Sequence, residues 1–120
     1  MPASLPDKEL VSHVVDLMQS IGPVYAKSMF GGHGIFLDGL MFALVADSVL
    51  YLKVDTETVN EFIDRDLDAF TYYKKGKQLK MGYYQAPDEI LDDSEIMNLW
   101  ANNAYSVALR AAIIKNKKSE

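Results

Sequence analysis

Apolar positions recur at helical spacing from Asp7 to Ile21. Leu10, Val11, Val14, Met18 and Ile21 share one side, and Lys8, Glu9, Ser12, Asp16 and Gln19 the other. This is the stripe of an amphipathic helix. Gly22-Pro23 ends it, because Pro23 has no N–H and disfavours a helical residue before it. The pattern then becomes that of strands: Val24–Phe30, Gly34–Leu37 and Leu40–Ala46 read as three, broken at Gly31-Gly32 and by the hairpin signal Asp38-Gly39. Asp47-Ser48 makes another tight turn into the apolar segment Val49–Val54. Connections this short force antiparallel neighbours. The runs are nearly continuous, not alternating, so at least one strand is expected to be covered on both faces, or one sheet face to make an oligomer contact.

A short helix is predicted over Asp55–Asp64, capped by Asp55, with Val59, Phe62 and Ile63 on its buried side. A second hairpin follows: Phe70–Tyr73, the turn Lys74-Lys75-Gly76-Lys77, then Gln78–Tyr84, where Leu79, Met81 and Tyr83 alternate with Gln78, Lys80 and Gly82. After Pro87, Asp92 is the expected N-cap of a long helix, with Glu95 three residues on in a box-like arrangement. Ile96, Leu99, Trp100, Asn103, Val107, Ala111 and Ile114 line one side of it, and Lys115, Lys117 and Lys118 suit its C-terminal dipole. Its alanines (101, 104, 108, 111 and 112) allow close approach of another element, most simply the domain's own sheet. The predicted order is α-β-β-β-α-β-β-α. It describes an α+β domain whose terminal helices pack on one face of a five-stranded antiparallel sheet.

Composition narrows the function. The 120 residues are 49% hydrophobic, enough for one domain with a real core. There is no cysteine, which removes disulfides, thiolate metal sites and thiol nucleophiles, and fits a reducing compartment. Residues 1–7 lack the basic-then-apolar pattern of a signal peptide, and no run approaches the roughly 18 apolar residues of a spanning helix. A cytoplasmic domain with no membrane partner is expected. The formal net charge of −5 opposes the positive footprint that phosphate binding requires, so it disfavours DNA as a partner.

Candidate chemistry is sparse. Gly31-Gly32-His33-Gly34 leads into a hairpin, without the helix or the Lys-Ser/Thr of a phosphate loop, and reads as a tight turn or bulge needing positive φ. His13 reads as a solvated surface group and His33 as part of the glycine turn; no spacing supplies a third metal ligand. Asp88-Glu89 and Asp92-Asp93 precede a helix, where carboxylates cap more often than they catalyse. No nucleophile and base pair is visible. The expectation is no enzyme: no catalytic residue, no cofactor and no metal. The strongest polar feature is the second hairpin, where Lys74, Lys75, Lys77 and Lys80 are interleaved with Tyr73 and Tyr84, beside Tyr72 and Tyr83. Cations among aromatics suit a nucleic-acid surface or a protein interface.

The order of motifs resembles a known family. Met29-Phe30-Gly31-Gly32-His33-Gly34-Ile35-Phe36, Asp38-Gly39, Met41-Phe42-Ala43 and Leu50-Tyr51-Leu52-Lys53-Val54-Asp55 are similar to the N-terminal domain of the TfoX/Sxy family. So are Gly76-Lys77, Met81-Gly82-Tyr83-Tyr84, Pro87 and Trp100-Ala101, the match running from about Val24 to about Ala112. The resemblance implies a secretion-chaperone-like α+β fold. It also implies a non-enzymatic role in transcription and competence regulation, in bacteria, alongside the cyclic-AMP receptor protein. It further implies that residues 1–120 form a single N-terminal-type domain, without the helical C-terminal domain of longer members. The expected partner is a protein, either transcription machinery or a second copy in a homodimer. A nucleic-acid-binding regulator using the Lys74–Lys80 hairpin is the alternative, followed by a small-molecule-binding domain or enzyme with a pocket around His33 and Tyr83.

Overall fold

The computed structural model describes residues 7–29 and 31–119, without the side chains of 72–74, 79–81 and 116–119. Its elements are α1 (Asp7–Leu17), β1 (Tyr25–Met29), β2 (Gly32–Leu37), β3 (Leu40–Ala46), β4 (Val49–Lys53), α2 (Val59–Asp64), β5 (Ala69–Lys74), β6 (Lys77–Gln85) and α3 (Ser94–Ser119). The strands form one antiparallel sheet in the order β1-β2-β3-β4-β6-β5. The sheet therefore has six strands, not five. The segment after Asp47-Ser48 is a full strand, pairing β3 on one side and β6 on the other.

Turn chemistry sets the hairpins. Asp38 and Gly39 take φ of 52° and 80°, Asp47 and Ser48 50° and 64°, and Lys75 and Gly76 53° and 78°. Two successive positive φ values give a two-residue turn whose twist matches its strands. The second hairpin thus turns on Lys75-Gly76 alone, and Lys74 and Lys77 join the strands as a directly opposed pair. Phe30, the expected end of the first strand, lies outside the described residues.

The helices depart from the sequence reading at their ends and faces. The last turn of the predicted first helix tightens into a 3-10 segment, Met18–Ile21. Asp55 opens a turn instead of capping a helix directly: its backbone carbonyl accepts from Thr58 and Val59, and α2 starts at Val59. Phe62 is buried on α2, but Ile63 is 49% exposed. The carboxylate of Asp93, not Asp92, caps α3 by accepting from the N–H groups of Glu95 and Ile96. Asp92 closes a 3-10 segment, Asp88–Asp92.

α3 buries Met97, Trp100, Ala101, Ala104, Val107 and Ala108, while Leu99 is 61% exposed and Ile114 55%. The buried stripe is rotated from the expected one onto the alanine row. Small side chains let the helix axis approach the sheet, which secures more contact than the larger Ile96 and Leu99 could.

Except for Val107, the helices put their buried residues into one cluster on one sheet face that also holds Ile35, Phe42, Val45 and Leu52. The other face holds a thinner cluster, Leu44, Ala46, Phe70 and Tyr83, flanked by Met41 and Tyr51. No described helical residue belongs to it. β3 runs between the two clusters, and Phe42 to Ala46 are all buried. This is a strand buried on both faces, one of the two outcomes the continuous apolar run allowed.

Candidate interaction surface

The chemistry of the surface begins with where the charges fall. The six strands carry Lys27, Lys53, Lys74, Lys77 and Lys80 and no aspartate or glutamate. All 17 acidic residues lie in helices, turns and termini, where only seven lysines and arginines accompany them, a formal −10. The net charge of −5 therefore divides into basic strands and acidic helices, turns and termini.

Of the hairpin residues read as an interaction surface, Lys75 and Lys77 are exposed at the turn, and the side chains of Tyr73, Lys74 and Lys80 lie outside the described residues. In register, Lys74 faces Lys77, Tyr73 faces Gln78 and Lys80 faces Thr71. The Gln78 amide donates to the Thr71 hydroxyl at 3.2 Å, fixing the hairpin's middle. Tyr84 stands apart from this group. It packs against the main core, its ring 6.1 Å from that of Phe62. Tyr83 points to the opposite face, where its hydroxyl donates to the Met41 carbonyl at 3.3 Å, and burial pushes its phenol up to about 12.

Sequence reasoning placed the helices on one face of the sheet but missed the aromatic and lysine cluster on the other. Tyr25 and Phe36, paired across β1 and β2, stack with centroids 5.5 Å apart and planes 13° from parallel. The Lys27 ammonium sits 5.2 Å from the Phe36 centroid and 5.9 Å from that of Tyr25. Lys53 Nζ lies 4.9 Å from the centre of the Tyr83 ring, and burial pulls its ammonium below the usual lysine range. Alternation along β1 was the available signal: Ala26 packs on the core, so Tyr25 and Lys27 must face away.

The residues weighed for catalysis or metal binding do not converge. His13 Nε2 lies 2.7 Å from the Leu91 carbonyl and ties α1 to the segment before α3. His33 Nδ1 is buried without a hydrogen-bond partner. Among the described residues no three histidines or carboxylates gather as a metal site requires. A shallow cleft of about 270 Å³, continuous with solvent, opens between α2 and α3 and is lined by Lys53, Glu61, Phe62 and Trp100, without His33 or Tyr83. Among the described residues no helix is long and apolar enough to cross a membrane.

Asp55 and Arg110 form the best-defined ion pair. Arg110 Nε donates to Asp55 Oδ2 at 2.9 Å and Nη2 lies 2.8 Å from the same oxygen, while the Glu57 N–H donates to Oδ1 at 3.0 Å. Burial alone would raise this carboxyl, but the Arg110 and backbone hydrogen bonds outweigh it and hold Asp55 below its ordinary value. A depressed folded pKa stabilises above the unfolded value, about 4, and that stability is lost as pH falls through the folded pKa. Arg110→Ala is therefore expected to lower the urea midpoint at pH 6, with the gap from the unmodified domain shrinking by pH 3. A gap that does not change with pH would mean the pair carries no such linkage.

These features define an α+β domain, one helical layer on a six-stranded antiparallel sheet whose second face no described helix covers. The chain belongs to the family of the TfoX N-terminal domain, whose family model matches residues 16–108. It is 27% identical to Protein Sxy of Escherichia coli (strain K12) over 94 residues, 78% of this chain and 41% of that protein. It is 29% identical to DNA transformation protein TfoX1 of Aliivibrio fischeri over 73 residues, 61% of this chain and 35% of that protein. The matched stretch thus spans less than half the length of either relative.

Proposed function

We propose that this domain is a non-enzymatic regulator of competence-related transcription, acting in the cytoplasm by contact with another macromolecule, most simply a protein. The observation that carries the reading is the family match over residues 16–108. The contact surface is assigned to the Lys75-Gly76 hairpin and its flanking strands. Lys75 and Lys77 are both exposed there, and a partner's carboxylates or phosphates would pair with them.

The test uses a bacterium lacking its own family member and carrying a competence promoter fused to a reporter. Expression of this domain is expected to raise reporter output severalfold, and Lys75→Glu with Lys77→Glu to abolish the rise without lowering thermal stability. No activation by the unmodified domain would sink the proposal. The same concentration of lysine favours a second reading, binding of duplex DNA. It predicts saturable binding that falls steeply with salt and disappears in the double variant; no binding to duplex leaves the protein partner.

A further inference from the structure

We infer that the open face of the sheet, centred on Tyr25, Lys27 and Phe36, binds single-stranded nucleic acid. This goes beyond the regulatory reading and is centred on residues outside the hairpin. No described helical residue joins the cluster on that face. The strands themselves carry five lysines and no carboxylate; the acids that reach this face, Asp47 in the β3–β4 turn and Asp68 before β5, act on Tyr51. The helical side repels a phosphate chain.

Charge complementarity alone would admit any polyanion; the rings narrow the choice. Tyr25 and Phe36 form a near-parallel stack, Tyr25 is 38% exposed, and exposed Lys27 lies within 6 Å of both centroids. An aromatic platform beside a cation takes an unpaired base on the ring and its phosphate on the ammonium. A duplex keeps the faces of its bases stacked inside and has none to offer a sheet. An acidic protein segment would use the lysines but not the stacking face. Strands lie about 4.8 Å apart, so crossing the sheet from β1 to β5 spans roughly 24 Å. Such a path leads from Lys27 past Lys53 to exposed Lys75 and Lys77, room for several nucleotides, as in other sheet-based single-strand binders.

The test is fluorescence anisotropy with a labelled oligothymidylate of about 12 nucleotides, starting at about 50 mM salt. Saturable binding is expected, weakening as salt rises. Tyr25→Leu, which keeps an apolar side chain but removes the ring, should reduce affinity about tenfold. Lys27→Glu should reduce it further and flatten the salt dependence, while Leu99→Ser on the helical side should change nothing. Both β1 positions are exposed, and circular dichroism would verify that the variants fold. No binding at low salt overturns the inference, as does binding indifferent to Tyr25→Leu and Lys27→Glu. Competition by polyglutamate as strong as by unlabelled oligothymidylate also overturns it and reassigns the face to an acidic protein segment. Stronger competition by duplex DNA overturns it in favour of the hairpin. The competence reporter plays no part, so this inference and the regulatory proposal fail separately.

Discussion

Phe42→Ala is expected to destabilise the domain by about 3–5 kcal/mol, a large share of the roughly 5–15 kcal/mol that holds a domain of this size together. Phe42 is fully buried on β3, a central strand of the sheet, and meets Tyr105 of α3 edge-on at 5.9 Å. Truncation removes the transfer energy of the ring and leaves a cavity. The cost depends on how far neighbours can collapse into that space. Here they cannot move far: the core that contains Phe42 is built on backbone-paired strands and on Ala101, Ala104 and Ala108 of α3, whose side chains are too short to swing inward. Urea unfolding should give a lower midpoint with an unchanged slope. Leu99→Ala, at a position 61% exposed, should stay within about 0.5 kcal/mol. If the two variants cost the same, α3 packs on the face that the sequence pattern favours, and the description of the core is wrong.

That comparison marks where the sequence was legible and where it was not. Turns were readable because their signal is local: Asp38-Gly39 takes the positive φ values that its residue types favour. The boundaries of β3 were readable because turn residues bracket it on both sides. The face of α3 was readable only in part: Trp100, Val107, Ala101, Ala104 and Ala108 are buried as expected, but Leu99 and Ile114 are not. The reason is that two apolar stripes overlap on one helix. Ile96, Leu99 and Ile114 make one, Met97, Ala101, Ala104 and Ala108 the other. Periodicity ranks them by hydrophobicity and prefers the first. Packing ranks them by how close the helix can come to the sheet and prefers the second.

The candidate site divides in the same way. The lysine hairpin was visible as a cluster in the sequence. The separation of charge was hidden inside a total of −5, because it depends on which residues become strands. Tyr25 and Phe36 lie eleven positions apart and meet only through the β1–β2 register. Nothing within either segment announces the pair.

The largest effect of a single methyl group is expected at Gly32. The sequence reading treated Gly31-Gly32-His33-Gly34 as one turn, but only Gly31, with φ of 75°, has the backbone of a turn glycine. Gly32 is already in β2, and a Cβ there would collide with the Val45 carbonyl oxygen and stand 3.2 Å from both Cα and Cβ of Ala46. Those obstacles are mostly backbone of the adjoining central strand, so they move only if β2 and β3 part. Gly32→Ala should therefore cost about 3 kcal/mol or more, at or beyond the upper end of ordinary overpacking. Gly34 is the internal control. A Cβ there meets Met41 Sδ at 2.8 Å, Met29 Sδ at 2.9 Å and the edge of the Phe36 ring at 2.9 Å. The methionines are flexible and can yield, so Gly34→Ala should cost markedly less. Thermal melts of the two variants side by side decide the matter. A lower melting temperature for Gly32→Ala locates the constraint in the close approach of two strands; equal losses would mean that the glycines serve the turn alone.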